Sequence, residues 1–166
     1  LLPGLLLAAL VAGVDRPATR RLQQLKWERL LPGTAFGGSF QTPQGQYLYG
    51  NLEGQWVVLR DGSTCEALPG GEGDARTAAL ALCQQPQAAD ILVIGSGLGL
   101  CQAFLSLDSV RQVTWAQGDG DYMRRVIQLI PPGLRIDDHR LRRLEGDVRT
   151  RLAQEGERYD LVLINL

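Results

Sequence analysis

Residues Asp90–Leu100 read DILVIGSGLGL. Ile91–Ile94 is a continuous apolar run, as expected of a strand buried on both faces of a parallel sheet. Glycines follow at 95, 97 and 99, and Leu100, Phe104 and Leu105 then fall on one face of a helix. Strand, glycine turn and helix in this order read as a turn that binds an adenine nucleoside. Glycine lets the backbone bend sharply and approach a ligand with no Cβ in the way. The first turn of the helix presents N–H groups and a partial positive charge. Gly95, Ser96, Gly97 and Gly99 are therefore candidate nucleoside contacts. A tight turn with no ligand is the alternative use of the same glycines.

The pattern continues toward the C-terminus as alternating strand and helix. VTWA (residues 113–116) reads as a second strand, and Tyr122–Ile130 as a helix ended by Pro131-Pro132-Gly133. LRRLEGD (141–147) contains a third strand, Val148–Glu155 a helix, and LVLIN (161–165) a fourth strand. This order predicts a doubly wound parallel sheet with right-handed crossovers. Such a sheet places an acid after its second strand to hold the ribose hydroxyls. Gln117-Gly118-Asp119 stands there, and Gln117 carries no charge. Asp119 either takes the role or caps the following helix. Asp147, after the third strand, either accepts from the adenine amino group or caps its own helix. Asn165 lies at the same sheet edge and, being neutral, is a poor general base.

Upstream, Pro69–Gly73 is a flexible joint. In Phe36–Leu68, aromatic and β-branched residues alternate with polar ones, and Asn51–Gly54 and Asp61-Gly62 supply turns. This is a small antiparallel β-meander. Pro17–Leu30 has a helical period, with leucines at 22, 25 and 30 and Trp27 on a nearby face. Leu1–Val14 is uncharged and apolar, too short alone to span a bilayer. Arg16, Arg20, Arg21, Lys26 and Arg29 follow it, as expected where a membrane-spanning helix leaves on the cytoplasmic side. A buried N-terminal helix is the alternative.

The expected fold is thus α/β. Residues 1–14 are the end of a transmembrane helix and 15–33 a basic helical linker. Residues 34–70 form the meander, and 71–166 a Rossmann-like nucleoside-binding sheet, cut after its fourth strand. The expected location is the cytoplasmic face of a membrane, or the cytoplasm.

Composition narrows the function. The 166 residues are 45% hydrophobic and 21% charged, with a net charge of −1. That excludes a strongly basic nucleic-acid binder and a disordered chain. Cys65, Cys83 and Cys101 form no CxxC pair and His139 stands alone, so buried apolar thiols are expected rather than disulfides or a metal site.

Several stretches together resemble the spermidine synthase (polyamine aminopropyltransferase) family. Thr42-Pro43-Gln44-Gly45-Gln46 is similar to the T-P-Y-Q/G opening of the family's β-domain, and Gly54–Gly62 to its hairpin with a D-G turn. VIGSGLGL (93–100) resembles VIGGGDGG, EGDVRTRL (145–152) resembles GDGRRFL, and YDLVLIN (159–165) resembles YDVIIVD. The apolar start and basic stretch are similar to membrane-embedded members. The resemblance implies binding of S-adenosylmethionine or its decarboxylated form, an adenosyl sulfonium, with transfer of an aminopropyl group to an amine. It implies a sheet of the S-adenosylmethionine-dependent transferase type and self-association through the meander, as a homodimer.

The departures concern the acids. The family's glycine-loop Asp is Leu98 here, its ribose-binding Glu is Gln117, and the Asp that helps deprotonate the amine is Asn165. Its Y-H-E segment has no counterpart in GEGDARTAALAL. Two further functions therefore stay open: a class I methyltransferase, and a catalytically degenerate regulatory or assembly module.

Overall fold

A computed structural model describes residues 15–156 and 158–165. Helix α1 (Asp15–Leu30) precedes four strands, β1 (Ala35–Thr42), β2 (Gly45–Leu52), β3 (Gln55–Arg60) and β4 (Ser63–Leu68). They pair antiparallel in the order β1-β2-β3-β4, the expected meander. Two hairpins close on two-residue turns with left-handed backbone, Glu53-Gly54 (φ 49° and 87°) and Asp61-Gly62 (φ 52° and 86°). These turns carry the twist that adjoining strands need.

The meander is buried on both faces. Trp56 and Val58 of β3 face one way with Phe40 and Tyr47, and Val57 and Leu59 face the other with Leu48. The second face is closed by α1 through Trp27, which is fully buried and donates from Nε1 to Thr34 Oγ1 at 2.9 Å. Gly50 lies under that indole, where a Cβ would stand 2.5 Å from it. The helix read over Pro17–Leu30 is present as α1. Leu22 and Leu25 are 67% and 55% exposed, and the helix packs through Trp27 instead. Residues 1–14, where the transmembrane expectation falls, lie outside the described residues. Among the described residues no helix is long and apolar enough to cross a membrane.

After helix α2 (Glu72–Gln84) come β5 (Asp90–Gly95), α3 (Leu98–Leu105), β6 (Gln112–Gln117) and α4 (Gly120–Leu129). A single 3₁₀ turn at Pro132–Leu134 leads to β7 (Leu141–Glu145), α5 (Val148–Glu155) and β8 (Leu161–Asn165). The four strands are parallel in the order β7-β6-β5-β8. The chain steps outward from β5 to β7, then crosses back to place β8 on the other side of β5. Ile91, Val93, Val113 and Trp115 pack under α3 and α4, whereas Leu92, Ala116 and Leu144 meet Val148 and Leu152 of α5. Helices therefore cover both faces, and the sheet is doubly wound as expected.

Phe40, Tyr47, Trp56, Val58 and Leu68 of the meander share one core with Leu98, Phe104 and Tyr122 of the sheet domain. The rings of Phe40 and Tyr47 stack at 4.9 Å between centroids, and Tyr122 of α4 lies 4.7 Å from Tyr47. The expectation of buried cysteines is corrected in two cases: only Cys101 is buried, Cys83 is exposed, and Cys65 is half-buried.

Candidate functional site

The reversal of strand order falls between β5 and β8, and a crevice forms at their carboxyl ends in such sheets. Gly95 ends β5 with φ 94°, a conformation that favours glycine. Its carbonyl accepts from Trp115 Nε1 at 2.8 Å, so the buried indole of β6 fixes the start of the turn. Ser96 N donates to Asn165 O at 3.1 Å, and Asn165 Nδ2 donates to Ser96 O at 2.8 Å. These two residues tie the ends of β5 and β8 together.

Of the stretch Gly95–Gly99, only Ser96 is partly exposed. Gly97 and Gly99 are enclosed by protein. A Cβ at Gly99 would lie 2.9 Å from Ala67 O and 3.0 Å from Gly70 Cα. A Cβ at Gly70 would in turn lie 2.6 Å from Gly99 O. These two glycines let the segment between β4 and α2 cross directly over the start of α3. Gly70 N donates to Gln102 Oε1 at 2.8 Å and holds that crossing.

The amides at the start of α3 have an internal partner. Glu66 of β4 is 1% exposed and accepts from Gly97 N at 3.1 Å and Leu98 N at 2.7 Å. Tyr122 Oη donates to its other oxygen at 3.2 Å. A carboxylate at a helix N-terminus is favoured by both the free N–H groups and the dipole. Burial nevertheless dominates and pushes the Glu66 carboxyl up to about 7, opposed by the hydrogen bonds from Leu98, Gly97 and Tyr122. Sequence reading passed over Glu66. Period-two alternation sets it on the inward face with Leu68, and an inward-facing acid in a strand is the signal available.

A bulge beside Glu66 shapes the site. Val58 pairs with Glu66 and Leu59 with Thr64, which leaves Cys65 as the extra residue. Cys65 thereby reaches a cavity of about 240 Å³ lined by Arg60, Asp61, Ser63, Thr64, Ser96 and Asn165. Its floor is the switch point of the parallel sheet, and its wall is the β3–β4 hairpin. Burial pushes the Cys65 thiol up, with Arg60 opposing.

The remaining candidates stand along the same sheet edge. Gln117 is half-buried and Gly118 exposed, with nothing near the position of a Cβ. Asp119 is 5% exposed and caps α4 by accepting from Tyr122 N at 3.0 Å through Oδ1. Its Oδ2 is buried and has no hydrogen-bond partner among the described residues. Asp147 is exposed and caps α5, accepting from Arg149 N at 3.1 Å and Thr150 Oγ1 at 2.6 Å. Those bonds, Thr150 first, hold its carboxyl below the usual range. Asp147→Ala is expected to lower the thermal unfolding temperature through the lost cap. The structure thus groups Ser96 and Asn165 on one cavity, while Gln117, Asp119 and Asp147 follow the neighbouring strands. Among the described residues no cluster of His, Cys, Asp and Glu could hold a metal ion.

No protein-family model and no curated protein matches the chain. Solved structures do. Spermidine synthase from Thermotoga maritima superposes with a TM-score of 0.58 at 20% identity, covering 78% of this chain and 47% of its own. The fold is that of spermidine synthases. A second such enzyme, solved with the transition-state analogue AdoDATO, gives a TM-score of 0.59 at 20% identity, over 79% of this chain and 47% of its own. The chain spans about half the length of these neighbours. The spermidine synthase-like fold accounts for the paired architecture of a meander seated on a doubly wound sheet.

Proposed function

We propose that the chain is a spermidine synthase-like domain that binds an adenosyl sulfonium, S-adenosylmethionine or its decarboxylated form, and offers it to an amine. The observation that carries this reading is the cavity at the switch point, lined by Ser96 and Asn165 and walled by the β3–β4 hairpin. A ligand crevice is expected at this place in the architecture. A solved neighbour holds an adenosyl transition-state analogue. When bound, the ligand supplies an electrophilic carbon beside its sulfur. The amine nitrogen bonds to that carbon as the carbon–sulfur bond breaks, and the nitrogen gives up a proton.

Asp119 is assigned to the ribose. Its buried, unpartnered Oδ2 needs a donor, and a ribose hydroxyl is one. Gln117 assists from the same strand end, and Asp147 accepts from the adenine amino group. Ser96 and Asn165 position the amine at the cavity floor. Glu66 occupies the amides of Gly97 and Leu98. A ligand carboxylate therefore finds no free N–H there, which favours the decarboxylated donor over the methyltransferase reading.

Titration calorimetry with S-adenosylmethionine, its decarboxylated form and methylthioadenosine tests the reading. Binding is expected to be tightest for a ligand lacking the carboxylate. Asp119→Asn keeps an acceptor for the α4 cap but exchanges a charged hydrogen bond for a neutral one, so affinity should fall about tenfold. Absence of heat and of a thermal shift with all three ligands overturns the reading. The degenerate-module alternative rests on Leu98, Gln117 and Asn165 standing where the family has acids. Turnover with any amine acceptor eliminates it.

A further inference from the structure

We propose that the amine received by the switch-point cavity carries a carboxylate of its own, and that Arg60 is the residue that selects it. This rests on the reading above, in which the cavity takes the amine. Arg60 ends β3, with Tyr47 of β2 and Ser63 of β4 as its cross-strand partners. Period-two alternation puts it on the face of Trp56 and Val58, the one turned toward the sheet domain. Those two are buried, whereas Arg60 is exposed, because the strand leaves the shared core at its last residue. A Cβ at Gly45 would stand 3.5 Å from Arg60 Cδ, so the stem lies along the β1–β2 turn while the residue lines the cavity wall. Arg76, Arg111, Arg124 and Arg140 each pair with a carboxylate; Arg60 forms no ion pair with a described residue.

The charge of the cavity decides the class of amine. Among its lining residues Asp61 is the single acid and Arg60 the single cation. Glu66 lies behind the floor, 1% exposed, with its oxygens committed to Gly97 N, Leu98 N and Tyr122 Oη, so it is not offered to the cavity. A diamine would bring two ammonium groups to one carboxylate and meet Arg60 as a like charge, a repulsive element that rejects it. A short amino acid, amine at one end and carboxylate at the other, brings one charge of each sign. Its amine keeps to Ser96 and Asn165 at the floor, and its carboxylate takes the guanidinium on the wall. A guanidinium fork donates to both oxygens of a carboxylate at once, and the hydroxyls of Ser63 and Thr64 line the same wall as further donors. One guanidinium balances a single negative charge, which suits a carboxylate better than a phosphate dianion. The cavity of about 240 Å³ is several times the ~30 Å³ that one water occupies in the liquid, which is room for a short chain.

The test compares two acceptors of equal chain length on the full chain saturated with methylthioadenosine. γ-Aminobutyrate has a carboxylate at its far end, and putrescine has a second ammonium there. Titration calorimetry at neutral pH should find γ-aminobutyrate bound about tenfold more tightly, the worth of one charge-assisted pair. Arg60→Gln should abolish that preference, Arg60→Lys should keep part of it, and Arg60→Glu should reverse it in favour of putrescine. All three variants retain the Cγ and Cδ positions that lie along Gly45, and titration with methylthioadenosine checks the adenosyl site of each. A purely structural Arg60 would move the unfolding temperature and leave the ratio of the two affinities unchanged, which overturns the assignment. Tighter binding of putrescine by wild type overturns it as well. Binding of methylthioadenosine with no binding of either acceptor overturns the acceptor class and leaves the adenosyl reading intact. Failure of methylthioadenosine to bind overturns both.

Discussion

Gly99→Ala is expected to destabilise the protein by about 3 kcal/mol, the upper end for overpacking a closed site. The added Cβ would lie 2.9 Å from Ala67 O and 3.0 Å from Gly70 Cα, both main-chain atoms. Neither can swing aside as a long side chain would. Relief requires lifting the Ala67–Gly70 segment off α3, and that segment is held by the bond from Gly70 N to Gln102. It also carries Glu66 on its strand, so lifting it strips the acceptor from Gly97 N and Leu98 N. Gly118→Ala is the control: exposed, with no atom near its Cβ, it should change stability by less than about 0.5 kcal/mol. Urea unfolding of both variants at unchanged m-value makes the comparison. A loss at Gly99 no larger than at Gly118 would show that the third glycine of the turn is spare.

That glycine marks the limit of reading this fold from sequence. Ile91–Ile94, the meander turns at Glu53-Gly54 and Asp61-Gly62, and the alternation through β8 were legible because each is a local pattern of period or turn chemistry. The purpose of Gly99 was not legible, because a glycine that admits a ligand and one that admits another backbone look alike in a string. Only the tertiary crossing at Gly70 separates them. The same holds for α1, where the leucine period was visible but the packing is done by Trp27 over Gly50. At the site, Asp119 and Asp147 were found by position, and the structure places both as helix caps. The unpartnered Oδ2 of Asp119 alone leaves it room for a second task.

Glu66 is the residue whose replacement should change the behaviour of the protein most. Glu66→Ala removes the acceptor for Gly97 N, Leu98 N and Tyr122 Oη, three buried donors. Leaving them unsatisfied costs on the order of 3–5 kcal/mol. The cost depends on pH. The folded-state value is raised from 4.5 to about 7, so the folded state holds the proton more tightly than the unfolded chain. The resulting stability is fully present below pH 4.5 and is lost as pH rises through about 7. Each pH unit between those values is worth about 1.4 kcal/mol, which makes the total on the order of 3 kcal/mol. Asp138, Asp147 and Asp160 are shifted in the opposite direction and act only at lower pH, outside this window. Wild type should therefore lose stability from pH 5 to about pH 7 and level off by pH 8. Glu66→Gln, which cannot titrate, should be flat across the same range. Glu66→Ala should be far below wild type at pH 5 and much closer to it at pH 8. Thermal unfolding at three pH values reads all of this, and a wild-type curve that climbs toward pH 8 contradicts it.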